Sequence, residues 1–161
     1  MTVIRLITFL VVLYLPFADH AGAEKLTHRE RFAFWNKCEL LDVKIKFRLS
    51  GEDKDDIGLT NKSIKKTAID TLIQERVYGG YNMSLWVNIA SIPDGFYIIV
   101  GFLKRMKDLK SGKHDTALTW MDKGTVILHQ KDPNYVLYRL SQGIRHAIKK
   151  YKDVNVDSCS H

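Results

Sequence analysis

The chain has 161 residues and carries 25 Lys and Arg against 18 Asp and Glu, a net charge of +7. Hydrophobic residues make up 45% and charged residues 27%, ordinary globular proportions that exclude a disordered, collagenous or disulfide-dense chain. That length holds one domain, and its two cysteines allow one bridge at most, so a multidomain enzyme, a zinc ribbon and a polytopic membrane protein are excluded.

Residues 1–23 have the layout of a secretory signal peptide. Arg5 supplies the positive start, residues 6–17 form a short apolar run, and Ala21-Gly22-Ala23 places small residues where signal peptidase reads them. The run is about a dozen residues, and a spanning helix needs about 20, so cleavage before Glu24 is expected rather than anchoring. Arg5 and Asp19 cancel, so the mature chain keeps its +7. No later stretch is apolar for long enough to span a bilayer, and a soluble periplasmic or secreted product is expected. In an oxidising compartment Cys38 and Cys159 are expected to form a disulfide. It would close a loop of about 120 residues, worth about 4–5 kcal/mol in the chain-entropy model.

Residues 24–37 form a polar, basic arm carrying Phe32, Phe34 and Trp35, ahead of a single domain at 38–161. Leu41, Val43, Ile45, Phe47 and Leu49 alternate with Asp42, Lys44, Lys46, Arg48 and Ser50, which predicts a strand with one buried and one wet face. Residues 51–58 are a charged turn. Thr60 is placed to cap a helix whose apolar stripe is Ile64, Ala68 and Leu72, with Gly79-Gly80 as the expected stop. Leu85, Val87 and Ile89 alternate with Ser84, Trp86 and Asn88, and Pro93-Asp94-Gly95 predicts a hairpin into an inner strand at 96–103. Residues 116–128 are strand-like, with Gly124 marking a bulge or break. Asp132-Pro133 then starts a helix with the stripe Val136, Leu140, Ile144, Ala147, Ile148 and Tyr151. The expected fold class is α+β: strand, helix, three strands, helix, in an antiparallel-rich sheet of about four strands with two helices on one face. The first strand's place in the sheet stays open.

Motifs for catalysis are scarce. No G-x-S-x-G, H-E-x-x-H or phosphate-binding glycine loop occurs. Asp53, Asp55 and Asp56 share one loop without the spacing of a calcium hand. His114, Asp115 and His129 could serve a small hydrolase or metal-dependent enzyme only if the fold made them converge. No catalytic residue, cofactor or metal ligand is therefore assigned. Asn61-Lys62-Ser63 and Asn82-Met83-Ser84 match the glycosylation triplet, which matters only in a eukaryotic host. The order helix, three strands, helix is shared with double-stranded-RNA-binding domains. Here, however, the last helix starts Asp132-Pro133-Asn134-Tyr135 without lysines, and export removes the chain from cytoplasmic RNA, so no nucleic acid is expected.

The basic balance is the remaining signal. With both helices on one sheet face, the alternation leaves Lys44, Lys46, Arg48, Trp86 and Asn88 on the other, and Trp120 is expected to join them. Cations interleaved with aromatics suit a protein partner or an anionic envelope component. The plainer alternative is a solvated face with both tryptophans packed under a loop.

Four stretches carry a resemblance: Ile57-Gly58-Leu59-Thr60, Leu85-Trp86-Val87-Asn88-Ile89, Thr116-Ala117-Leu118-Thr119-Trp120 and residues 151–159. Over residues 38–159 the chain resembles a group of small Sec-exported bacterial proteins of unknown function. The resemblance implies an exported protein and no activity. The layout is also similar to periplasmic accessory domains of envelope assembly proteins, which bind other proteins. The expected function is an exported, non-enzymatic binding module of the envelope or secretome. A small secreted enzyme and a secreted effector are its rivals.

Overall fold

A computed structural model describes residues 27–48, 58–128 and 132–158. The arm contains a short helix, α1 (His28–Phe34), started by a reciprocal cap between Thr27 and Glu30. The alternating run forms β1 (Leu41–Arg48). Helix α2 (Asn61–Gln74) follows, then β2 (Met83–Ile92), β3 (Gly95–Lys107), β4 (His114–Met121), β5 (Thr125–Leu128) and α3 (Pro133–Val154). The result is a single α+β domain with a mixed sheet of five strands. Residues 1–23, where a signal peptide is expected, Leu49, Ser50, the aspartates of the 51–57 loop, His129 and Cys159 lie outside the described residues.

The sheet order is β1-β2-β3-β4, with β5 also paired to β3. β1 lies parallel to β2 at one edge, joined through α2, and the remaining pairs are antiparallel. β4 and β5 run in line along the same side of β3, β4 on its C-terminal part and β5 on its N-terminal part. The expected fourth strand is thus two strands separated at residues 122–124, where Gly124 takes φ +79°. Asp122 fills the gap: its Oδ1 accepts from the Val100 N–H at 3.2 Å and from Gly124 N–H at 2.9 Å.

The core lies between the sheet and the helices. α2 packs on β1 and on α3, and α3 packs on β3. All six residues of the expected stripe on α3 are buried. Asp132 caps this helix, its carboxylate accepting from Asn134 N–H at 2.9 Å, with Pro133 in the first turn. The C-terminal end of α2 is tied to α3 by Lys152 on Glu75 (2.6 Å) and by Arg145 donating to Gln74 Oε1 (2.9 Å).

Helix α2 starts at Thr60 as expected but does not run to Gly79-Gly80. It closes at Glu75, and Arg76 takes the left-handed φ of +59°. Val77 N–H returns to Leu72 O and Arg76 N–H to Ile73 O, both at 2.9 Å, the two bonds of a Schellman cap. Val77 and Leu72 are both buried in the core, and that burial offsets the strain of a non-glycine residue there. The glycines have another role. A Cβ on Gly80 would lie 1.5 Å from Leu40 O, so glycine is required where the chain passes the start of β1.

α1 is fixed by polar bonds within the core. Asn155 accepts through Oδ1 from Asn36 N–H (3.0 Å) and Cys38 N–H (3.3 Å), and donates through Nδ2 to Phe34 O (3.0 Å) and Tyr151 O (2.8 Å). Tyr151 donates its phenol proton to Asn36 Oδ1 and Glu39 O, each at 2.6 Å. Burial pushes the Tyr151 hydroxyl up to about 12.

Asn155→Ala leaves Asn36 N–H and Phe34 O without partners in a buried site, and we expect a loss of about 2–3 kcal/mol in denaturant unfolding. A loss under about 0.5 kcal/mol, the range of an ordinary surface substitution, would show that the arm is not held by this residue. Burial raises the Asp122 carboxyl above its ordinary 3.8, outweighing its two backbone bonds and the nearby His146. A carboxyl raised on folding favours the folded state while protonated and loses that contribution as pH rises through the folded value. Asp122→Asn should therefore gain stability relative to the parent between pH 3 and pH 7. Denaturation midpoints across that range are the check, and a relative loss would refute it.

Candidate functional site

Register pairs share a sheet face, so rows across the sheet can be read directly. One covered row is Val43, Leu85, Phe102 and Trp120. Open rows are Lys44, Trp86, Gly101 and Met121, then Lys46, Asn88 and Ile99, then Arg48, Ala90, Tyr97 and Val126. The helices lie on the first face and leave the second uncovered by any described element.

Lys44, Lys46, Arg48, Trp86 and Asn88 therefore stand together on the open face, as expected from the alternation. The three cations are exposed, while Trp86 and Asn88 are partly buried. Trp120 does not join them. The β3–β4 register shifts between Phe102 and Leu103, which pair with Trp120 and Leu118 respectively. Thr119 is the extra residue of this bulge, and it turns Trp120 to the covered face while Leu118 stays on the open one. Trp120 lies tilted against Phe34 (5.0 Å between centroids) and Phe102 (5.9 Å). Thr119 Oγ1 donates to Ala33 O at 3.1 Å and to Phe102 O at 3.3 Å, which joins the bulge to α1.

Trp86 is held by an absence on its neighbour. A Cβ on Gly101 would lie 3.2 Å from Trp86 Cε3 and from Leu118 Cδ1, and 2.7 Å from Trp120 O. The indole covers the bare backbone of Gly101, an aromatic side chain compensating for a strand glycine. Tyr97 likewise lies over Gly124 and donates to Lys123 O at 3.2 Å. Around Trp86 the open face is apolar toward β4 and β5, where Leu118, Met121 and Val126 are 47%, 49% and 55% exposed. Arg105 and Lys107 continue this face at the end of β3. Alternation on β1 showed the cations. The apolar half was missed because β3 reads as apolar on both faces, which names a buried strand.

Other cations have structural partners. Lys104 lies on the covered side and donates to Trp35 O (2.6 Å) and Phe32 O (3.4 Å), closing the carbonyl end of α1. Its ammonium is held below the usual lysine range by burial. Lys66 pairs with Asp70, and Lys150 with Glu30 at 3.6 Å.

Among the described residues, which do not include His129, the catalytic alternatives gain no geometry. His114 and Asp115 are consecutive exposed residues at the start of β4, so they point to opposite faces. Among the described residues no three His, Cys, Asp or Glu side chains group to hold a metal ion. No described helix is long and apolar enough to cross a membrane. No family model, curated protein or solved structure matches the chain.

The bulge separates the two tryptophans energetically. Trp120→Ala should cost about 3 kcal/mol, as for large-to-small changes in a packed core, and Trp86→Ala about 1 kcal/mol. Chemical denaturation of the two variants checks this, and the reverse order would place Trp86 in the core instead.

Proposed function

We propose that this chain is an exported, non-enzymatic binding module of the envelope or secretome, acting through its open sheet face on a protein or an anionic envelope component. The observation that carries this reading is the face itself. A cationic row, Lys44, Lys46 and Arg48, lies on the strand beside Trp86, with Lys44 its direct register partner, and an exposed apolar patch lies beyond Trp86. Charge on one side attracts and orients an acidic partner, and apolar side chains on the other supply area to bury. Asp42 is the acidic residue that the described strands set on this face.

Export rests on the leader at residues 1–23. A bridge between Cys38 and Cys159 belongs to the same proposal. No described cysteine is free, and Asn155, four residues before Cys159 in sequence, holds the Cys38 backbone. Such a bridge would secure the arm where the Asn155 bonds already hold it.

The test uses the full chain expressed with its leader, in parent form and with Lys44→Glu, Lys46→Glu and Arg48→Glu combined. The mature product should begin at Glu24 and be lighter by about 2 Da than its reduced form, the mass of one disulfide's hydrogens. Parent protein should retain phosphatidylglycerol vesicles or defined envelope proteins that the triple variant and Trp86→Ala lose by about tenfold or more, with the triple variant's unfolding midpoint preserved and Trp86→Ala still folded, less stable by about 1 kcal/mol. Equal retention by all three forms would remove the open face from the function. An untrimmed, reduced product would remove export.

A further inference from the structure

The sheet has two edges, and they are built differently. β1 presents Lys44, Lys46 and Arg48, and cations along an edge strand oppose the addition of another strand. β4 is guarded only at its start, by Asp115, whose carboxylate accepts from Thr116 N–H: residues 116–121 contain no charge, and Leu118 and Met121 are about half exposed. Its hydrogen-bonded neighbour is β3, and among the described residues no strand pairs with its outer side. A neutral, half-apolar edge with open backbone groups is the template that β-strand addition uses.

Next to this edge lies a cavity of about 580 Å³, open to solvent, between β4 and α1. Ala33, Leu118, Trp120 and Met121 give it an apolar floor, and Thr27 and Arg29 stand at its helical rim. The Thr119 bond to Ala33 O sets the separation of helix and strand. Each end of the groove carries a lysine: Lys113 just before β4, and Lys123 just past its end. The nearby acids are engaged. Glu30 holds Thr27 and Lys150, and Asp115 accepts from Thr116 N–H at 2.7 Å.

We propose that this groove receives an extended acidic segment of a partner protein, added to β4 as a further strand, with an apolar side chain in the cavity. Backbone bonds to β4 would give affinity, the cavity would select a residue, and Arg29 with the cations at both ends would select acidic flanks. A second copy of this chain fits poorly, because pairing β4 with itself brings the same cations together. This site shares Leu118 and Met121 with the apolar half of the open face but uses neither the β1 cations nor Trp86, so its strand pairing can be tested apart from that face's role.

The test is an amide-resolved NMR titration of the purified full-length chain. The probe is a peptide of about eight residues, valine alternating with aspartate, matched to the length of β4. Two further versions carry N-methyl groups on alternate backbone nitrogens, odd in one and even in the other. In an added strand only one set of N–H groups faces β4, so one methylated peptide should bind about tenfold weaker and the other nearly unchanged. Shifts should centre on residues 114–121 and α1. Leu118→Lys should weaken binding about tenfold, and Lys46→Glu by less than about twofold. The proposal fails if both methylated peptides bind equally, if shifts centre on β1, or if millimolar peptide gives no shift. It fails too if the β4 edge amides are already protected from exchange in the free chain, which would mean its own N-terminal residues occupy the groove.

Discussion

The arrangement of the molecule depends on one buried side chain, Asn155. Its amide uses two donors and two acceptor bonds, all on the main chain of residues 34–38 and 151. Lys37 and Cys38 both take left-handed φ, +60° and +57°, an arrangement that neither residue favours alone. The Asn155 carbonyl, by holding the N–H groups on either side of Lys37, stabilises that turn. Once the turn is set, Phe34 enters the core against Phe102 (5.1 Å) and Trp120, and α1 lies beside β4. The arm thus belongs to the domain rather than preceding it. Without this tether α1 would depend on the packing of Ala33 and Phe34 and on its peripheral bonds to Lys104, Thr119 and Lys150, and a helix of seven residues has little stability of its own.

A second constraint follows from the first. With α1 lying along β4, Trp120 has a place to be buried, and the strand must turn it there. The bulge at Thr119 does so at the cost of one unpaired residue, whose hydroxyl bonds to α1. Past the bulge the open face is left with Leu118 and Met121, and Trp86 spreads over Gly101 between them and the β1 cations. The divided character of that face, charged on one side and apolar on the other, is thus a consequence of how the covered face was filled.

This order of causes explains how much could be read in advance. The alternation from Leu41, the stripe from Val136 to Tyr151, the Asp132-Pro133 start and the Pro93-Asp94-Gly95 turn are local patterns, and each element appears where its pattern lies. Lys44, Lys46, Arg48, Trp86 and Asn88 share a face because period two is a local property. Trp120 was misplaced because a one-residue bulge reverses the alternation, and its cause is a contact with Ala33, 86 residues away in sequence. The stop of α2 was misplaced for a related reason. Gly79-Gly80 has the composition of a helix end, but the chain turns earlier to bury Val77 in the core, so Arg76 takes the strained position. Asn155 gave no signal at all, since one asparagine near a chain end is ordinary until Phe34, Asn36 and Cys38 are brought to it.

The β1 cations carry two explanations that need not compete. As an edge guard they act by charge alone and require only that the strand be poor for pairing. As part of a binding face they require company, and Trp86 and Asn88 provide it on β2. An edge guard alone would leave the rest of the face polar, as a solvated antiparallel sheet face usually is. Here the far half carries Ile99, Leu103, Leu118, Met121 and Val126 instead. Water gains nothing from that composition, and the domain's own core does not use it. The cations protect one edge from strand addition while the apolar half stays exposed, and the neutral edge at β4 is left open beside a cavity. A chain organised only to remain soluble would guard both edges. The difference between them is the observation on which the proposed contacts with other molecules rest.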